Sequence, residues 1–377
     1  PETALRGYDE LASGTPAEAL AAARRYGSKA ANLGFLAHRQ VLGRATQPGT
    51  PSARLGYDLT PQGFAVPFQW YADFVAHPPN AELREALDTL IAREAAGDLA
   101  PRELRDLVTA VQDAFLAAQF PPGQLDSLRD RVDALGVKKL KVRSSANAED
   151  IPGFDGAGLH DSFSVKTKVA DKPCQTCIVV DETDDDGGET KRKVDPRSLG
   201  CAIKGVYASL WNKRAVEERS FARIDQRSVA MGLAVVPAYD SEADVVANAV
   251  VVTRVLNTDA VYGYSLSIQQ GNNLVTNPDP DTYSEFTIAA FLTDDEPISF
   301  TVTRFAKPTA SGPCAWMICA KRSAACPSAA SQVTGLGAAP RRSRCIGCSR
   351  RVWRVTAALA LRCSVLPLLH RRPKLAG

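Results

Sequence analysis

One stretch constrains this chain more than any other: Lys139–Val165, which reads KLKVRSSANAEDIPGFDGAGLHDSFSV. Leu140 and Val142 alternate with lysines, the mark of a strand, and that strand delivers Arg143 into the turn Ser144-Ser145-Ala146. A loop carrying Gly153, Gly156 and Gly158 follows, before Phe163 and Val165 restore the two-residue period. A fixed guanidinium beside amides that a ligand can approach closely, because glycine has no Cβ, is a layout suited to a polyphosphate.

Charge is uneven along the chain, so the whole-chain isoelectric point of about 8.4 misleads. Residues 1–296 hold 31 Lys and Arg against 42 Asp and Glu, whereas residues 297–377 hold 14 Lys and Arg and no acid. Nucleic-acid binding is therefore not expected of the body, only of the tail if of anything. Six of the nine cysteines also lie after residue 310, leaving Cys174, Cys177 and Cys201 in the body. That sparse usage suits a reducing cytoplasm rather than a disulfide scaffold. The longest apolar run, Val355–Leu369, is short, holds Arg362 and has arginines on both sides, so no membrane span is expected.

Thr15-Pro16-Ala17-Glu18 has capping-box spacing and predicts a helix ending near Tyr26-Gly27. A second helix starts at Ser28 or Lys29 and runs through Ala30, Leu33, Phe35 and Leu36. The Gly27-Ser28-Lys29 step could place an anion at that helix start, or could be a solvated cap. Arg39–Pro61, rich in Gly, Pro, Thr and Arg, reads as loop, and Pro61–Pro67 as a turn with a short buried strand. Phe68–Val75 begins a helix. Three amphipathic patterns follow: Leu83, Leu87, Leu90 and Ile91; Leu104, Leu107, Val108, Val111 and Phe115; then Leu125, Leu128, Val132 and Leu135. These stripes read as core.

Residues 167–194 read as an insertion with Cys174-Gln-Thr-Cys177, a β-like Ile178-Val179-Val180 and an acidic turn at 184–188, more often solvated than metal-binding. Asp195-Pro196 caps one long helix carrying Leu199, Ile203, Val206, Leu210 and Trp211 and reaching Phe221. Ser228–Tyr239 is a nearly continuous apolar run, as in a central strand, and Val250–Val255 and Tyr262–Gln270 are further strands. Helices first and strands later predict an α+β architecture.

The blocks GSKAANLGFL, PQGFAVP, KVRSSANAEDIPGFDGAGLHDSF and AVVPAY, with the Trp211 helix and IQQGNNLVTNP, together resemble the N-terminal nucleotide-binding domain of phosphoenolpyruvate synthase and pyruvate phosphate dikinase. The resemblance covers roughly residues 20 to 290. It implies an ATP-grasp fold that cradles ATP and Mg²⁺ between two subdomains and hands a phosphoryl group to a histidine on a separate swivelling domain. On it, Lys29 and Arg143 are the phosphate-contacting and catalytic cations, with Ser144, Ser145, Gly153, Gly156 and Gly158 beside them. Glu149–Gly158 is the mobile loop over the phosphates, and Val235, Val236 and Ala238 border the adenine. The expected division is a nucleotide domain over 1–296, with a helical part at about 68–136, and a basic tail over 297–377.

The tail departs from the family. The acidic pair and the Leu-Gln-x-Arg segment that complete such a domain are absent from 297–377, which shows no strand alternation and reads as a frame-shifted or otherwise non-native end. Cys345-x-x-Cys348 among arginines is the rival reading, half a zinc site on a nucleic-acid arm. The metal ligands are unknown. None of His38, His77, His160 and His370 sits in a phosphohistidine setting, so the acceptor is expected elsewhere; His160 reads as a hydrogen-bonded loop residue. The expectation is a cytoplasmic ATP-binding phosphotransferase domain, the alternative a non-catalytic nucleotide-binding module of the same fold.

Overall fold

The computed structural model describes residues 1–11, 14–46, 60–149, 158–172, 176–182, 191–239, 247–252, 263–271, 284–290 and 299–304, with single positions at 154, 156, 245 and 275. Two compact units are present, Pro1–Asp240 and Ser241–Gly377.

The first unit is built on an antiparallel sheet of five strands: β1 (Arg6–Gly7), β2 (Phe64–Val66), β3 (Lys139–Ala146), β4 (Ser162–Lys166) and β7 (Met231–Pro237). Their spatial order is β1-β2-β7-β3-β4. β7 is central and almost wholly buried, with Leu233, Ala234 and Val235 all at 0% exposure, which explains its unbroken apolar sequence. Alternation then divides the sheet into two faces. Ala65, Ala234 and Val236 pack with Tyr8, Leu11, Tyr26, Ala30 and Ala31. Phe64, Val66, Leu140, Val142, Leu233 and Val235 belong to the larger core on the other side.

Two helices, α1 (Pro16–Tyr26) and α2 (Ser28–Thr46), contribute to the first face. The capping box forms as its spacing predicts: the Glu18 amide donates to Thr15 Oγ1 at 3.2 Å, and Glu18 Oε2 accepts from the Thr15 amide at 3.0 Å. α2 runs to Thr46, so the loop expected from Arg39 begins later; positions 47–59 lie outside the described residues. The buried side of α2 is made of small residues, Ala30, Ala31 and Ala37, while Leu36 is exposed.

The larger core holds α3 (Phe68–Ala76), α4 (Ala81–Ala96), α5 (Pro101–Ala117) and α6 (Gln124–Leu135), whose apolar stripes are buried as their periodicity predicts. Tyr71, Phe74 and Phe115 meet Tyr207 in an aromatic cluster with ring centroids 5.2 to 6.3 Å apart.

The single helix expected over 195–221 is two. α7 (Leu199–Ser209) is capped by Ser198 rather than Asp195, and α8 (Lys213–Phe221) follows Asn212. Asn212 takes a non-helical ψ of 141° and donates its side-chain amide to Leu159 O and Asp161 Oδ2, at 3.1 and 2.9 Å. Those bonds tie the break to the chain entering β4.

Strands β5 (Ile178–Glu182) and β6 (Lys191–Asp195) form a two-stranded ladder, and Cys177, just before β5, is disulfide-bonded to Cys201 in α7. Two of the three body cysteines are thus paired, a bond that sparse cysteine usage did not lead one to expect. Cys174 and the acidic turn at 184–188 lie outside the described residues.

The second unit is an antiparallel meander of β8 (Ala247–Val252), β9 (Gly263–Gln270), β10 (Glu285–Ala290) and β11 (Ser299–Arg304), with Tyr264, Leu266, Ile268 and Ala289 as its core. β11 corrects the expectation that nothing after residue 297 reads as strand: Phe300 and Val302 pair in register with Ala289 and Thr287 of β10. Beyond Arg304, the basic tail, Cys345 and Cys348 fall outside the described residues. No described helix is long and apolar enough to cross a membrane.

Candidate functional site

The corner between α1 and α2 is pressed against the end of β3. Gly27 has φ +82°, and a Cβ there would lie 2.0 Å from Ser145 O and 2.3 Å from Ser145 Oγ. Only glycine accepts both the torsion and the approach. Gly232 serves the same corner from β7, because a Cβ on it would meet Tyr26 O at 2.7 Å. α2 therefore starts directly over Ser144 and Ser145, which continue β3 to Ala146, paired with Leu233 and Gly232 of β7, rather than forming the expected turn after Arg143.

Four hydrogen bonds follow from that seating. The Ala30 amide donates to Ser145 Oγ at 3.2 Å, and Ser28 Oγ donates to Glu149 O at 3.4 Å. Lys29 Nζ donates to Ser144 Oγ at 3.1 Å and to Glu149 Oε1 at 2.6 Å. Glu149 is 3% exposed and its other oxygen accepts from the Ala146 amide at 3.1 Å, whereas Lys29 keeps a third of its side chain in solvent. Asn147, in the turn that follows β3, ties that turn to the segment before β7 by donating to Ser228 O and accepting from the Ala230 amide.

Arg143 sits one residue earlier, paired with Ser162 of β4 and Ala234 of β7, and is exposed. It takes no part in the Lys29–Glu149 pair. Its charge acts on Tyr8, a buried phenol whose O–H donates to Val235 O at 3.1 Å. Burial raises the Tyr8 pKa strongly, and the nearby Arg143 opposes that rise.

The remaining nominated residues are divided. Gly156 is packed against Ala148 and Glu149, and Gly158 has φ +79° with open space around it. Gly153 lies outside the described residues, as does most of the loop from 150 to 157. Val235 and Val236 point to opposite faces of the sheet, Val235 into the larger core and Val236 into the smaller. Ala238 donates its amide to Lys139 O at 3.0 Å. Val235 is bonded into ladders on both sides, facing Phe64 and Val142, so free backbone along this strand can begin only after it.

His160 is a hydrogen-bonded loop histidine, as its sequence setting suggested. Its Nδ1 lies 3.1 Å from Ser209 O, and Nε2 is buried without a partner. Burial pushes its pKa down to about 4; the Ser209 carbonyl opposes this, while Arg219 and Lys29 add to it.

A cavity of about 530 Å³, lined by Phe163, Cys177, Gly205, Ser209 and Asn212 among others, includes none of the phosphate-site residues. Among the described residues no three His, Cys, Asp or Glu side chains converge as metal ligands. Glu149, the carboxylate at the turn, already serves Lys29 and the Ala146 amide, so these donors do not form a cation site by themselves.

Sequence reasoning missed the role of Glu149. It reads as the first residue of a covering loop, but it is a buried anchor. The available signal was a strand end, at Ala146, whose amide needs an acceptor nearby.

A sequence model of the pyruvate phosphate dikinase AMP/ATP-binding domain matches residues 23–289, which contain every residue of this site.

Proposed function

The chain belongs to the pyruvate phosphate dikinase AMP/ATP-binding domain family, whose fold is ATP-grasp-like, and from that premise we propose that it binds ATP with the triphosphate against Lys29 and Arg143 and donates a phosphoryl group to an acceptor held elsewhere. The observation that carries this reading is the seating of α2 on the end of β3, which delivers Lys29 to Ser144 at 3.1 Å, one residue from Arg143. Two cations on rigid elements can offset the charge that develops on a transferring phosphoryl group. The amides of the loop through Gly153, Gly156 and Gly158 would supply neutral donors around it, with the buried Ser144 and Ser145 holding Lys29 and the start of α2 from beneath. Adenine would lie past Val235 toward Ala238, on the side of β7 that β2 no longer covers, the other side remaining bonded to β3. Magnesium would arrive on the nucleotide's phosphates, since the described side chains offer it no ligand set of their own.

Calorimetric titration of the full chain with ATP tests this. Lys29→Ala and Arg143→Ala should each weaken binding about tenfold to a hundredfold, the loss of one charge-assisted hydrogen bond. ATP affinity unchanged in both variants would overturn the site.

A further inference from the structure

Lys141 is an unusual residue for its place. It lies on β3, an inner strand between β7 and β4, so protection of a sheet edge does not account for its charge. Strand alternation puts it on the same face as Arg143. Its cross-strand neighbours on that face are Val236 and Ser164, and those of Arg143 are Ala234 and Ser162. None is an acid. The backbone of a third cation, Arg197, lies beside the same strand pair: its carbonyl accepts from the Lys166 amide at 3.1 Å, two residues along β4 from Ser164, the cross-strand partner of Lys141. Burial lowers the Lys141 pKa, and the guanidinium groups of Arg143 and Arg197 lower it further. Among the described residues, Lys141, Arg143 and Arg197 form no ion pair.

Lys141 and Arg143 on one face, with Arg197 acting on Lys141 and no counter-charge among them, repel one another, and a bound anion relieves that repulsion. We propose that Lys141 and Arg197 extend the Arg143 site into a second anion subsite that takes a phosphate group. The proposal shares Arg143 with the function given above and rests on that reading for its position. The phosphate has two possible sources, the nucleotide's own chain or a separate phosphorylated molecule bound beside it.

The test is calorimetric titration of the full chain with inorganic tripolyphosphate at fixed ionic strength, in the wild type and in Lys141→Met, Arg197→Met and Arg227→Met. Methionine keeps the apolar stem of Lys141, and circular dichroism checks each fold. Arg227 is exposed on another segment and controls for net charge alone. Lys141→Met and Arg197→Met should each lower tripolyphosphate affinity about tenfold, and Arg227→Met less than about twofold. If ATP then excludes tripolyphosphate, the nucleotide's own phosphates occupy the subsite; if both bind together, a separate phosphorylated group does. No tripolyphosphate binding by the wild type, unchanged affinity in the Lys141 and Arg197 variants, or an equal loss in the Arg227 control would overturn the subsite. ATP affinity in Lys29→Ala is read separately, so failure of the nucleotide site and failure of this subsite give different patterns.

Discussion

Lys29 and Glu149, 120 residues apart, form an ion pair at 2.6 Å in which the acid is 3% exposed and the lysine about one third exposed. The pair joins the first turn of α2 to the segment that leaves β3. It sets where Lys29 stands before any ligand is bound.

Glu149→Ala removes the acceptor of the Ala146 amide as well as the partner of Lys29. An unsatisfied buried amide costs about 1–3 kcal/mol, and the expected loss of folding stability lies in that range. Glu149→Gln keeps an acceptor and should lose less than half as much. Urea unfolding of the two variants measures this, and equal losses would show that the charge, rather than the acceptor, carries the contribution.

Gly27 and Gly97 both have positive φ, +82° and +78°, but only Gly27 has a backbone oxygen where a Cβ would go. Gly97→Ala should cost about 1 kcal/mol, the strain of the left-handed region alone. Gly27→Ala should cost roughly 2–4 kcal/mol, because α2 must also lift from Ser145. It should weaken ATP binding too, since Lys29 moves with the helix. Thermal unfolding and calorimetry of both variants check the contrast.

His160 is expected to make the protein less stable in mild acid. Its pKa falls from 6.5 to about 4 on folding, so between those values the unfolded chain binds more protons than the folded one. Stability is then fully present above about pH 6.5 and declines as pH falls toward 4, by at most about 3 kcal/mol from this group. His160→Gln retains a donor for Ser209 O and does not titrate. Urea unfolding across pH 4 to 7 should show a shallower acid limb in that variant; identical limbs would exclude His160 as the source.

The parts legible in the sequence are those governed by local chemistry. The capping box at Thr15 and Glu18, the stripes of α4 to α6, the strand into Arg143 and the apolar run of β7 each follow from a period or a cap that neighbouring residues impose. Family blocks added Lys29 and Arg143 to that reading. Other features depend on partners distant in the chain. Asn212 breaks a helix because Leu159 and Asp161 stand where its amide can reach them. Residues 299–304 form a strand because β10 offers them a ladder, although their own stretch belongs to a tail that looked structureless. Glu149 is buried because α2 sits on the turn and brings a lysine to it. Lys141 looks like an ordinary solvated lysine until pairing with β7 and β4 makes its strand an inner one. Local propensity and pattern thus determined most elements, while the family blocks nominated the two cations. Packing between segments distant in the chain decided which charges are paired, which are buried and which stand together unneutralised.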